Sequence, residues 1–229
     1  QQHVEHRDVG QGGRDAHACL GDAGRLADDV DVVGGAEQVT QTTADEVVVV
    51  DCETTGLDVV KDDIITIAAV KVRSNRILTS EKFVAIARPE AKMKGEAIKV
   101  HHIFESETEK GERIRQIMRD FLRFVGGRPL VGYYLEFDVA MIDKNVLPLI
   151  QIELPNKMIE VSAMYYERRY GDGHPGDQID LSFARILHDL GIPMLGQHDA
   201  LNDAIMTAEA YIALKDMKAR GVRFPKKRD

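Results

Sequence analysis

The chain has 229 residues, 44% of them hydrophobic and 30% charged, with a formal net charge of −8. That is apolar material for one domain, or one and a half, with a substantial core. No apolar run approaches the roughly 18 residues a membrane span needs, and the N-terminus lacks the basic-then-apolar order of a signal peptide, so the expected setting is cytoplasmic without a membrane partner.

Residues 1–45 contain no lysine, no aromatic residue and seven glycines, and show no sustained helical or strand period. They read as a flexible or non-core leader, and the composition changes sharply at Glu46. Val47 to Asp51 then predicts a first strand, Ile64 to Val72 a second and Ile77 to Ala87 a third, with Ser74 to Arg76 as a turn. Short connections imply an antiparallel meander. A short helical piece is expected near Gly95 to His101. A stronger helix follows from Glu112 to Val125, where Ile114, Ile117, Met118, Phe121, Leu122 and Val125 recur at three and four residues.

Pro129 to Tyr133 is a short apolar strand, Asp138 to Leu147 a helix, and Lys157 to Arg169 another helix. Gly171 to Asp177 reads as a loop. Leu181 to Leu190 is expected to be a helix capped by Asp180 and stopped by Gly191, and a last helix runs from about Asp199 to Lys218. Residues 46–218 thus form one domain, followed by a short tail over 219–229. Strands first and helices after, with one strand returning between helices, predict an α/β domain with a mixed sheet.

The chemistry-bearing stretch is VVVVDCETTGL, Val47 to Leu57. Asp51 and Glu53 stand at i and i+2 of an extended strand, so both carboxylates face one side and can converge on a hard cation. Cys52 faces the other way and reads as a small buried hydrophobe without a chemical role. Its distance in sequence from Cys19 suggests neither a disulfide framework nor a zinc site. Asp138 opens the helix after the PLVGY strand, Asp203 lies one turn inside the last helix, and His198 precedes that helix. The two acids sit where a sheet edge could collect them, and the histidine stands on a mobile approach loop.

DCETTGL, LVGYYLEFD and HDALNDA, taken in that order, resemble the three motifs of the DEDDh 3'-to-5' exonucleases, the family of the epsilon proofreading subunit of bacterial DNA polymerase III. The likeness covers about Glu46 to Lys218. It implies a ribonuclease H-like fold, a five-stranded mixed sheet flanked by helices. It also implies that Asp51, Glu53, Asp138 and Asp203 hold two divalent cations, Mg²⁺ or Mn²⁺, and that His198 is the general base. Carboxylates suit such ions, which keep positions for water and phosphate, while an imidazole takes a proton near neutral pH without being a ligand. The implied activity releases nucleoside 5'-monophosphates from a free 3' end.

The net charge argues superficially against a nucleic-acid partner. However, residues 1–45 carry nine acidic against three basic side chains, which leaves the remainder at only −2. Ions bound by four of its acids would make the rest slightly positive. The resemblance extends to EAIKVHH and points to Glu96 and His101 as substrate contacts, with His102 in place of the usual glycine. Thr54, Thr55 and Leu57 are further candidates at the terminal nucleotide, although turn formation also explains the threonines. Tyr133 and Tyr134 depart from the family's His-Asn, and Tyr133, Tyr134 and Phe137 could stack bases, although alternating apolar residues at a strand-to-helix junction are more often core.

Single-stranded DNA is the expected substrate. An exonuclease for RNA or short oligonucleotides is the alternative, and a non-catalytic module that binds nucleic acid or a polymerase is a third reading that the complete ligand set disfavours. A DNA polymerase partner fits the resemblance, whereas the chain's end soon after the last helix favours a stand-alone enzyme.

Overall fold

Four consecutive valines cannot all face one side of a strand, so a run from Val47 to Val50 is stable only where both faces are covered. The computed structural model, which describes residues 45–91, 108–171, 179–196 and 198–225, places this run in the middle of a five-stranded sheet. Strand β1 is Glu46–Thr54, β2 is Ile64–Arg73, β3 is Arg76–Ile86, β4 is Leu130–Gly132 and β5 is Met158–Glu160. Their order is β3-β2-β1-β4-β5. The first three form an antiparallel meander, while β4 runs parallel to β1 and β5 parallel to β4.

Two cores follow from the alternation of β1. Val48 and Val50 pack under helices α1 (Ile114–Val125) and α2 (Leu135–Ile150), with Ile117, Phe121, Met141 and Ile142 fully buried among them. Val47 and Val49 face helices α3 (Val161–Arg169), α4 (Phe183–Leu190) and α5 (Ala200–Ala219), where Tyr165, Ile186, Met206 and Leu214 close the second core. The fold is the expected ribonuclease H-like arrangement, a mixed sheet between two helical layers.

Several boundaries differ from the sequence-based expectation. The segment Lys157 to Arg169 is not one helix: Met158–Glu160 pairs with β4, and α3 starts only at Val161. Helix α2 begins three residues before Asp138 and continues through Pro148 to Ile150, although that proline offers no N–H to the carbonyl one turn back. Helix α4 starts at Phe183 rather than Leu181. Asp180 Oδ1 accepts a 3.0 Å bond from Ser182 N–H, which is a turn ahead of the helix, and Ser182 at the N-cap makes no side-chain cap bond. The leader up to residue 44, the short helix expected near Gly95 to His101, nearly all of the Gly171–Asp177 loop and the tail from residue 226 lie outside the described residues.

At the start of β1, Glu46 is buried between two arginines. Its carboxylate accepts from Arg128 Nε and, at 2.7 Å, from Arg73 Nε. Burial alone would raise this carboxyl, and the two guanidiniums outweigh it, holding the group below its ordinary range. The strand's other end is built in the opposite way.

Candidate active site

The face of β1 that carries Val47 and Val49 next presents Asp51 and Glu53, by the period of two. That face lies under α5. Ala200, Ala204 and Ala208 are almost fully buried, and such small side chains let a helix approach a sheet closely. Asp199 caps the helix, its Oδ1 accepting from Leu201 N–H and Asn202 N–H at 3.0 Å each, which fixes Asp203 in the first turn. Glu53, His198 and Asp203 each offer one ligand atom within 4.8 Å of the others. His198 holds a left-handed backbone conformation (φ 62°), and its N–H donates to Asp203 Oδ2 at 2.9 Å.

Asp138 arrives from the other layer. It is the fourth residue of α2, 5% exposed, and its Oδ1 accepts the backbone N–H of Cys52 at 3.0 Å. Cys52 therefore contributes through its backbone. Its thiol packs toward the first core, and burial, with Asp138 and Asp51 nearby, pushes it well above the ordinary range and keeps it protonated. Helix α2 has no capping side chain of its own. Glu160, at the end of β5, supplies the acceptor: its carboxylate receives Tyr134 N–H at 3.2 Å and Leu135 N–H at 2.9 Å, and also Ser162 N–H of α3 at 2.9 Å. One carboxylate thus sets the starts of two helices, and through α2 the position of Asp138.

The electrostatics of the cluster are those of crowded anions. Burial, then the charges of Asp138, Asp203, Glu53 and Asp199, hold Asp51 well above the usual carboxylate range. Burial, then Asp203 and Asp199, raise Glu53 to about 7. Burial raises Asp138 against the opposing Cys52 N–H bond, and it raises Asp203 against the N–H bond and charge of His198. Carboxylates so placed bind protons or cations in preference to standing ionised together. A set of carboxylate oxygens with one imidazole suits a hard divalent cation.

The loop after β1 is a braced structure. A register shift between Glu53 and Thr54, opposite Thr66 and Ile64, puts an irregularity into the last pair of β1 with β2. Thr54 Oγ1 donates to Gly56 O at 2.7 Å, Thr55 Oγ1 donates to Asp62 Oδ1 at 3.3 Å, and Thr55 Oγ1 accepts from Asp63 N–H at 2.9 Å. Lys144 of α2 ties down the far side by donating to Asp62 O at 2.7 Å and Asp63 Oδ1 at 3.2 Å. Thr55 is fully buried, so its side chain serves the loop, while Leu57 is held out at 84% exposure. Glu96 and His101 lie outside the described residues. Sequence reasoning missed two residues that shape the site. In the sequence Asp199 marks only the approximate start of the last helix, and its effect on Asp51 depends on docking of α5; Glu160 acts across strands and left no local signal.

This fold, with carboxylates at the ends of β1, α2 and α5, defines a class of nuclease. Residues 48–211 match the family model described as Exonuclease (RNase_T), and the chain belongs to that family. More particularly, it is an exonuclease domain of the DNA polymerase III epsilon type. The epsilon subunit of Aquifex aeolicus is 30% identical over 167 residues, covering 73% of this chain and 79% of that protein. An epsilon-like protein of Rhodobacter capsulatus is 31% identical over 198 residues, covering 82% of this chain and 27% of that protein. The chain spans 13% of the PolC-type DNA polymerase III of Caldanaerobacter subterraneus, to which it is 28% identical. Among solved structures, exonuclease I aligns with a TM-score of 0.65 at 19% identity, covering 76% of this chain and 42% of that one. Exonuclease X in complex with 5'-overhanging duplex DNA aligns at 0.57 and 23%, covering 78% and 95%. These last two likenesses concern the fold.

Proposed function

We propose that this chain is a metal-dependent 3'-to-5' exonuclease acting on single-stranded DNA and releasing nucleoside 5'-monophosphates. The observation that carries the reading is the convergence of Glu53, His198 and Asp203 beside the partly buried Asp51, within a chain of the exonuclease family. The solved complexes of E. coli exonuclease I with a dA16 oligonucleotide and in a zinc-bound form with single-stranded DNA support the substrate and the divalent ion by analogy. The names of the epsilon relatives support a DNA polymerase as partner, and hence action in the cytoplasm.

Asp51, Glu53 and Asp203 are the residues to hold the ions, two of Mg²⁺ or Mn²⁺, with Asp138 completing the set. When bound, such ions supply a water acidified toward neutral pH and positive charge for the phosphate and the departing oxygen. The chain's own groups do the rest. His198 takes the proton of the attacking water on its imidazole, and the bond from its N–H to Asp203 ties the base to the ligand helix. Asp138 is oriented by Cys52 N–H, and Leu57 with Thr54 meets the terminal nucleotide.

The test is digestion of matched 3'-ended DNA and RNA strands in Mg²⁺, Mn²⁺ or chelator, with products identified by mass. We expect 5'-mononucleotides from DNA in either metal and none in chelator. His198→Ala should lower kcat by about 10²- to 10⁴-fold, and Asp203→Asn should nearly abolish digestion while the fold is retained. Preferential digestion of RNA would move the assignment to RNA trimming. Oligonucleotide binding without metal-stimulated hydrolysis would make the chain a binding module.

A further inference from the structure

We propose that Tyr134 is a stacking platform for a nucleobase of the bound strand, a contact that rests on the exonuclease reading above. Tyr134 is the residue before α2, one helical turn ahead of Asp138. β4 runs parallel to β1 with Val131 opposite Val49. Tyr134 lies three residues beyond that pair on one strand and Cys52 three residues beyond it on the other, so Tyr134 emerges at the sheet end that carries Asp51 and Glu53.

Its setting is unusual for a core aromatic. The residue is 60% exposed. Its backbone is left-handed (φ 54°, ψ 38°), a region that disfavours a residue with a bulky side chain, and the Glu160 carboxylate pins it there by accepting Tyr134 N–H and Leu135 N–H. A backbone held in this way against its preference is characteristic of functional positions.

The ring is also backed from below. Phe183 stacks on Tyr133 with centroids 4.8 Å apart and planes 29° apart, and Tyr133 lies against Tyr134 at 4.5 Å. The Tyr133 hydroxyl donates to Leu181 O at 3.0 Å, which locks the middle ring. The first two rings are the packed part of the series, since Phe183 and Tyr133 adjoin the second core. The third, tilted 45° to Tyr133, is largely exposed at the sheet end that carries Asp51 and Glu53. Core packing accounts for Tyr133, whereas Tyr134 touches it from outside and keeps most of its own surface free. A base suits this place because every base has a π-face and a pre-positioned ring loses little freedom on binding. Such a contact favours unpaired strands, whose bases are free to splay.

The test uses single-stranded DNA carrying one abasic residue, moved stepwise from the 3' end, together with Tyr134→Asn and Tyr134→Phe. Asparagine tolerates the left-handed backbone, so it removes the ring while retaining the local fold. For the wild type we expect one abasic position to raise KM by about tenfold with little change in kcat, the scale of one lost base-to-aromatic stack. Tyr134→Asn should raise KM by a similar factor on the intact strand and lose its sensitivity to that abasic position, and Tyr134→Phe should restore both. 2-Aminopurine at that position should be quenched on binding to the wild type and not to Tyr134→Asn. An unchanged KM in Tyr134→Asn, or an undiminished abasic penalty, would overturn the proposal. The fluorescence needs no hydrolysis. Quenching that depends on Tyr134 in a protein that digests nothing would therefore sustain the stacking contact and overturn the catalytic reading.

Discussion

The two ends of β1 each hold carboxylates wholly or partly out of water, and they handle the charge by opposite means. At the start, Glu46 sits between Arg128 and Arg73 and is held ionised. At the end, Asp51 and Glu53 face Asp138, Asp203 and Asp199, and burial together with their mutual repulsion pushes their pKa values up. A buried charge with its partner inside the chain is a structural device. A group of crowded, partly buried charges of one sign, with partners left to be supplied from outside, points to a functional site. One nine-residue strand carries both, separated by the four valines that anchor it in the sheet.

The largest effect should come from the paired end. Glu46→Ala leaves Arg128 buried without its anion and should cost about 3–5 kcal/mol, read as a lower denaturant midpoint. A cost below about 1 kcal/mol would mean that water replaces the carboxylate and that the ends are not so different. The site end should respond in the opposite direction. Glu53→Gln removes a charge that the fold disfavours, and without metal at pH 8 it should stabilise the protein by up to roughly 3 kcal/mol while impairing digestion. Destabilisation at that pH would contradict the reading of Glu53 as a strained anion.

The pH dependence separates the ends further. Because Glu53 is raised from 4.5 to about 7, its folded form holds a proton that the unfolded chain has released. The metal-free fold therefore loses stability as pH rises from about 4.5 to about 7. Glu46 is lowered, so its contribution is complete above its unfolded value and is lost as pH falls through its folded one. Melting temperature in chelator should then peak in mildly acid solution, and a steady rise to pH 8 would argue against the crowded-anion account. The smallest effect is expected at Asp199. Asp199→Asn retains a capping oxygen, and by relieving repulsion on Asp51, Glu53 and Asp203 it should raise metal-free stability at pH 8 by about 0.5 kcal/mol, the scale of a weak charge interaction.

Much of this architecture was legible because it is local. Four valines followed by Asp51 and Glu53 announce a buried strand that ends in two carboxylates on one face, and the apolar period from Ile114 to Val125 is a helix by itself. β5 was not legible. Three residues carry no period, Met158 is 43% exposed, and only pairing with Leu130 and Val131 makes the segment a strand. The start of α2 was hidden for a related reason, since its cap comes from Glu160, 25 residues away from Leu135 in sequence. The five candidate site residues were visible from their motifs, whereas Asp199 as a fifth nearby anion and Cys52 N–H as the donor to Asp138 depend on how the two layers meet the sheet.

The central claim is that the Asp51 end of β1 is a divalent-cation centre, and its most direct test is calorimetric melting at pH 8 in chelator and then in Mn²⁺. Saturation at 100 times Kd should stabilise the fold by about 2.7 kcal/mol, a rise of about 5–11 °C at 2–4 °C per kcal/mol. The rise should vanish in Asp51→Asn. An equal rise in wild type and variant, or none in either, would contradict the assignment.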